Sequence, residues 1–359
     1  MFALFTRFRI VQCFVAALTL VVGVSFFSTA SAQQRLRWTM VTSWPAGLPP
    51  FQIAEDFARR VNAMSAGRMT ITVQPAGAVV GAFDVLDAVN TGTAEMGHSL
   101  ASYWLGKNRA APFFGAIPMV FDGPLYLTWM YEGGGIALWN RLYQERMKLN
   151  VMAMPGGINV TEFLAWSNKP LANVNDFKGL KYRTVGWWAD ILRGMGVSVT
   201  TMPAGELYTA LERKMLDATE FASPWIDRGL GFHEVARYFT GPGMHQPGSM
   251  MELTINKTAY DKLPADLKAI VQSAAEAATL RSYTLDYRNS LEAFEFFKGR
   301  GNQPVQVSVD AQREFRKAAW AYLDQLSGAD PFFKEVWTSV RGFYERSIAF
   351  DEFMLPVRK

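Results

Sequence analysis

The chain has 359 residues, with 36 Lys and Arg against 32 Asp and Glu and no basic stripe, which argues against a nucleic-acid partner. Hydrophobic residues make up 50% and aromatics 14%, enough for a well-filled core or a lined cleft. A single cysteine, Cys13, excludes a disulfide framework.

Arg7 and Arg9 precede the apolar run VAALTLVVGVSFF, which ends in Ala30-Ser31-Ala32. That is the pattern of a cleaved secretory signal over residues 1–32, with Cys13 lost alongside it. The run is shorter than the ~20 residues that span a bilayer. A soluble, exported protein beginning near Gln33 is therefore expected, and its location is the periplasm. What remains is long enough for two lobes, since single cores stop growing near ~250–300 residues.

LRWTM alternates apolar and polar residues as a strand does. FQIAEDFARRVNAM follows, with Ile53, Phe57 and Val61 on one helical face, and Gly67 closes that helix. MTITV reads as a strand, FDVLDAVNTG as a helix and AEMGHSL as a strand. The second half repeats the plan through LKYRTV, WWADILRGMG, VSVTTM, AGELYTALERKM and LDATEFA. Units of this length build parallel sheets with right-handed crossovers. Between them, NVMAMPGGINVTEFLAWSN reads as a crossing from one lobe to the other and MMELTIN as the return, which makes a hinge. From Pro264 to Lys298 no proline or glycine interrupts the pattern, so one helix of roughly 50 Å should span both lobes.

The expected organisation is a signal peptide (1–32) and a first lobe (33–158, with a return segment about 250–263). A second lobe (159–249), a spanning helix (264–298) and a C-terminal helical segment (299–359) follow. The aromatics of that last segment, Phe332, Phe333, Trp337 and Tyr344, suit either a homodimer contact or the cover of a lobe's own core.

In open parallel sheets, ligands sit beyond the carboxyl ends of the strands. Arg183 and Glu220 both fall there. An arginine offers a planar fork of donors suited to a carboxylate, and it equally suits a surface ion pair. Glu220, Glu162 and Glu252 sit in apolar surroundings where a carboxylate needs a partner. Three such groups beside crossing segments suit a hard cation, although Glu162 and Glu252 singly also suit solvent-facing strand positions. His98 and His245 follow strand-end glycines and fit either a cleft lining or a structural hydrogen bond. HExxH, cysteine pairs, GxSxG, the P-loop and GxGxxG are all missing from the sequence.

SWP after the first strand, GTAEMGHS, the GGG break followed by LW, KGLKYRT, LYTALERKMLDATEF and HQPG together resemble one family. It is the solute receptors of tripartite ATP-independent periplasmic (TRAP) transporters, and within it the subgroup that binds 2-oxo acids and related monocarboxylates with a cation. The resemblance implies an α/β, two-lobed periplasmic-binding-protein fold whose partners are a small organic acid and the membrane subunits of the transporter. It implies that Arg183 clamps the substrate carboxylate and that Tyr103 closes the cleft. Glu220, the Phe221 carbonyl and Glu252 would hold Na+ or Ca2+, with no organic cofactor. Glu162, Trp187, Trp188 and His245 are further substrate-pocket candidates. Relatives usually carry glutamine at the position of Glu162 and tryptophan at that of Phe221; the extra carboxylate would favour a divalent ion over Na+, or else a ligand with an extra positive or donor group. The competing expectations are a periplasmic glycosidase using Glu162 and Glu220 as acid and base, the receptor of an ATP-driven importer, and an accessory of a membrane sensor.

Overall fold

The computed structural model describes residues 35–354 and 356; the expected signal peptide and Cys13 lie outside the described residues. In chain order its strands are β1 (Leu36–Thr42), β2 (Met69–Gln74), β3 (Met96–Leu100), β4 (Val151–Asn159), β5 (Ala165–Ser167), β6 (Lys181–Arg183), β7 (Ser198–Thr200), β8 (Ala218–Thr219), β9 (Tyr238–Gly241), β10 (Ser249–Asn256) and β11 (Gln303–Gln306). They form two sheets, each the centre of one lobe: β2-β1-β3-β10-β4 and β11-β9-β5-β8-β6-β7.

Lobe one has the expected strand-helix-strand-helix-strand start, with helices at Pro49–Met64 and Val85–Thr91 and β1 parallel to β3. β10 inserts antiparallel between β3 and β4, so the chain returns to the first sheet after building the second. In lobe two, β6 lies parallel to both β7 and β8, with Arg183 level with Thr219. The two crossings touch. Glu162, between β4 and β5, forms an antiparallel bridge with Gly243, between β9 and β10. A side chain at Gly243 would put its Cβ 2.1 Å from the Glu162 carbonyl oxygen, so only glycine fits there.

The helix Ala265–Gly299 packs on β4 and Pro49–Met64 in lobe one and on Pro224–Leu230 and β11 in lobe two. Its buried polar residues recur every four positions and stitch the first crossing to lobe two. Ser282 Oγ accepts from the Ile158 N–H at 2.8 Å, Asp286 from Val160 at 3.0 Å, and Ser290 from Trp225 at 3.2 Å.

Two findings concern the C-terminal region. β11 is a strand added parallel to β9 at the sheet edge, inside the segment expected to be helical. Phe332, Phe333, Trp337 and Tyr344, on the helix Pro331–Met354, are buried in the chain's own core with Phe113 and Trp187, so they do not supply a dimer contact.

Candidate functional site

Arg183 is the last residue of β6 and Glu220 follows β8, which puts both at the carboxyl ends of neighbouring parallel strands. Arg183 is 1% exposed and Glu220 fully buried. The guanidinium donates from Nε to the Met202 carbonyl (3.1 Å) and from Nη1 to the Glu220 carbonyl (2.9 Å) and carboxylate Oε1 (3.2 Å). The Phe221 ring lies 5.3 Å from its centre. Only Nη2 lacks a partner. The two-pronged fork of the sequence expectation is thus mostly occupied, and a single nitrogen is left for a ligand.

Glu162 and His245 reach the same place from the two crossings. Glu162 Oε1 accepts from Ser249 Oγ at 2.9 Å, and Ser249 accepts from Asn159 Nδ2 at 3.2 Å. His245 Nε2 stands 3.5 Å from Glu162 Oε2 and 3.6 Å from Glu220 Oε2. These separations exceed a charge-assisted hydrogen bond, ~2.7–2.9 Å. All three atoms are buried without a hydrogen-bond partner and lie within 4.8 Å of one another. Buried orphan atoms that converge in this way are what ligands of a common ion look like before the ion is drawn in.

The charges are strongly coupled. Burial pulls the His245 imidazole down, but the two carboxylates outweigh it and lift its pKa to about 9. Burial raises Glu162 to about 7 against the pull of His245 and Ser249. Burial also works to raise Glu220, yet Arg183 and His245 together hold it below the usual carboxylate range.

Tyr103 comes from lobe one, on the short turn Ala101–Trp104 after β3, and packs on Phe83 and Trp44. Burial pushes its hydroxyl up to about 12, with the Arg183 guanidinium acting in the opposite sense. A cavity of about 260 Å³ opens beside it, lined by Phe83, Ser102 and Tyr103 from lobe one and Val185, Gly186 and Thr201 from lobe two.

Two expected site residues stand elsewhere. Glu252 lies on β10 with both oxygens engaged, by Trp104 Nε1 and the Tyr143 hydroxyl at 2.6 Å each, and is no member of the Glu162, Glu220 and His245 group. Trp187 points into the core between Phe113 and Phe333 and donates to the Arg109 carbonyl at 2.9 Å. Its neighbour Trp188 is the one beside His245, with ring centres 5.9 Å apart. His98 accepts from Trp44 Nε1 at 2.7 Å through Nδ1 and lies 3.1 Å from the Gly156 carbonyl through Nε2, so it is held as a neutral structural histidine. Ser249, which orients Glu162, carried no sequence signal beyond its place after HQPG. The Met202 carbonyl carried none.

Known proteins resemble this chain in sequence and fold. The family model described as bacterial extracellular solute-binding protein, family 7, covers residues 40–328. A monocarboxylate 2-oxoacid-binding periplasmic protein of Nostoc sp. is 32% identical over 93% of this chain and 92% of its own. Among solved structures, a TRAP transporter solute-binding protein of Bordetella bronchiseptica is 26% identical with a TM-score of 0.86, covering 89% of this chain and 95% of that one. It is a mixed-occupancy dimer with copurified calcium and picolinate in one active site and an apo second site. A TRAP periplasmic solute-binding protein of Pseudoalteromonas atlantica, with bound sodium and pyruvate, is 29% identical with a TM-score of 0.85, covering 89% and 97%.

Proposed function

Because the chain belongs to the bacterial extracellular solute-binding proteins of family 7, we propose that it is the periplasmic receptor of a TRAP-type secondary transporter, binding a small 2-oxo or 2-hydroxy monocarboxylate together with a cation. The observation that carries the reading is Arg183: a cation 1% exposed, between two lobes, with one guanidinium nitrogen lacking an acceptor. A carboxylate supplies that acceptor. In this reading the acid meets Arg183 Nη2 and the Tyr103 hydroxyl.

The donor set fits a cation. Glu162 Oε2 and Glu220 Oε2 would hold it, with the Phe221 carbonyl as a further oxygen. A bound cation supplies positive charge that the acid's carboxylate and 2-oxygen can chelate. In this reading Glu252 is left out of the cation site, since Trp104 and Tyr143 each hold one of its oxygens. The glycosidase reading needs two carboxylates flanking a sugar; here both converge on one imidazole.

Ligand and cation bind groups from both lobes and both crossings, so occupancy stabilises the closed form over the open one. The closed receptor then docks on the transporter's membrane subunits. Calorimetry with pyruvate in Na+ and in Ca2+ buffers tests the reading. Saturable binding that Arg183→Ala abolishes is the expected result, and the reading fails if the variant binds as the parent does.

A further inference from the structure

We infer that the cation position in this chain is built for a divalent ion that accepts an imidazole nitrogen, of the Zn2+ kind, with His245 Nε2 as a ligand beside Glu162 and Glu220. The inference rests on the reading that the site holds a cation, and it adds which cation and through which residue.

Three observations carry it. The first is the spacing. At 3.5 and 3.6 Å, His245 Nε2 is too far from either carboxylate for a good hydrogen bond. Two ligands of one tetrahedral ion, each bound at ~2.0–2.1 Å, stand about 3.4 Å apart. The second is that each carboxylate offers one free oxygen and has the other pinned, Glu162 Oε1 by Ser249 and Glu220 Oε1 by Arg183. The free oxygens and Nε2 are therefore aimed at one point by the surrounding protein. Ca2+ and Na+ prefer all-oxygen surroundings, and imidazole suits Zn2+ better.

The third is charge. Arg183 brings one positive charge, and Glu162, Glu220 and a monocarboxylate ligand bring three negative ones. A divalent ion with neutral His245 takes the closed site to zero. Na+ with neutral His245, or a protonated His245 with no metal, leaves one uncompensated negative charge in a site that excludes water, which is costly. Asp227, also buried, accepts from Trp166 Nε1 and the Ala222 N–H, and burial holds its carboxyl well above the usual range.

The test uses metal alone as probe. Metal-stripped protein is titrated calorimetrically with ZnCl2, MnCl2 and CaCl2, each in Na+ and in choline buffer, and the Co2+-loaded protein is followed by its visible absorption. We expect Zn2+ to bind at least about 100-fold tighter than Ca2+, independently of Na+, on donor-type grounds. His245→Gln should cut that preference to below about tenfold and shift the Co2+ band. Glu162→Gln should weaken every divalent ion and serves as the second variant should His245→Gln fold poorly. Equal or tighter Ca2+ binding, a need for Na+, or an unchanged preference in His245→Gln overturns the inference. Pyruvate binding measured on the same samples separates the two readings. Acid binding supported only by Ca2+ or Na+ leaves the receptor standing and removes this inference. Nitrogen-dependent metal binding without acid binding does the reverse.

Discussion

Replacing Arg183 with methionine keeps an unbranched apolar stem and removes every donor of the guanidinium. Two consequences follow from the geometry. The ligand loses its charge-assisted hydrogen bond to Nη2, worth ~1.5–3 kcal/mol, which weakens binding about 10- to 150-fold. The free protein also loses the bonds to Met202 and to Glu220, and Glu220 is left as a buried carboxylate. Stranding one partner of a buried pair costs ~3–5 kcal/mol. The lower end applies here, because His245 still stands 3.6 Å from the other carboxylate oxygen. Lysine should do little better, since an ammonium cannot serve Met202, Glu220 and the ligand together. Calorimetry with pyruvate gives the affinity and urea denaturation gives the stability. A folded Arg183→Met protein that binds pyruvate within about threefold of the parent would refute this reasoning.

Other expectations concern pH and the residues outside the site. His245 titrates near 9 in the fold against 6.5 ordinarily, so its contribution to stability is whole below about 6.5 and lost as pH climbs through 9. Glu162, raised to about 7 by burial, acts in the same direction, because the fold favours its protonated form. The melting temperature of the metal-free, ligand-free protein should therefore fall between pH 6.5 and 9, and a flat profile would contradict the assignment. Glu252→Gln strands one of two donors, Trp104 or Tyr143, and should cost ~1–2 kcal/mol of stability in urea. Pyruvate affinity in that variant should stay at the parent value; a marked drop would return Glu252 to the site. Trp187→Phe removes the bond to the Arg109 carbonyl and should cost ~0.5–1.5 kcal/mol with affinity unaltered, a result that calorimetry and thermal melting check together.

The parts of the fold with strong local periodicity were legible in the sequence. The helices Pro49–Met64 and Val85–Thr91 and the uninterrupted Ala265–Gly299 all stand where pattern and punctuation put them. A topological rule placed Arg183 and Glu220 at the carboxyl ends of neighbouring parallel strands, and that is where they stand. Glu252 was misplaced for a physical reason. All eight residues of β10 are buried, so the strand shows no alternation from which to read the inward face. Trp187 and Trp188 posed the same difficulty on a helix buried on several sides, where adjacent residues point ~100° apart and both directions are apolar. β11 is four residues long, contains Pro304 and sits at a sheet edge, the one place a proline is tolerated in a strand. His245 looked ambiguous because its meaning depends on Glu162 and Glu220, which only the two crossings bring to it.

The most direct measurement is a crystal structure grown with ZnCl2 and pyruvate, with anomalous data collected at the zinc edge. The account predicts a zinc peak bonded to Glu162 Oε2, Glu220 Oε2 and His245 Nε2, with the pyruvate carboxylate on Arg183 Nη2 between the closed lobes. Pyruvate bound away from Arg183, or a zinc peak that leaves those three atoms unbonded, would contradict it.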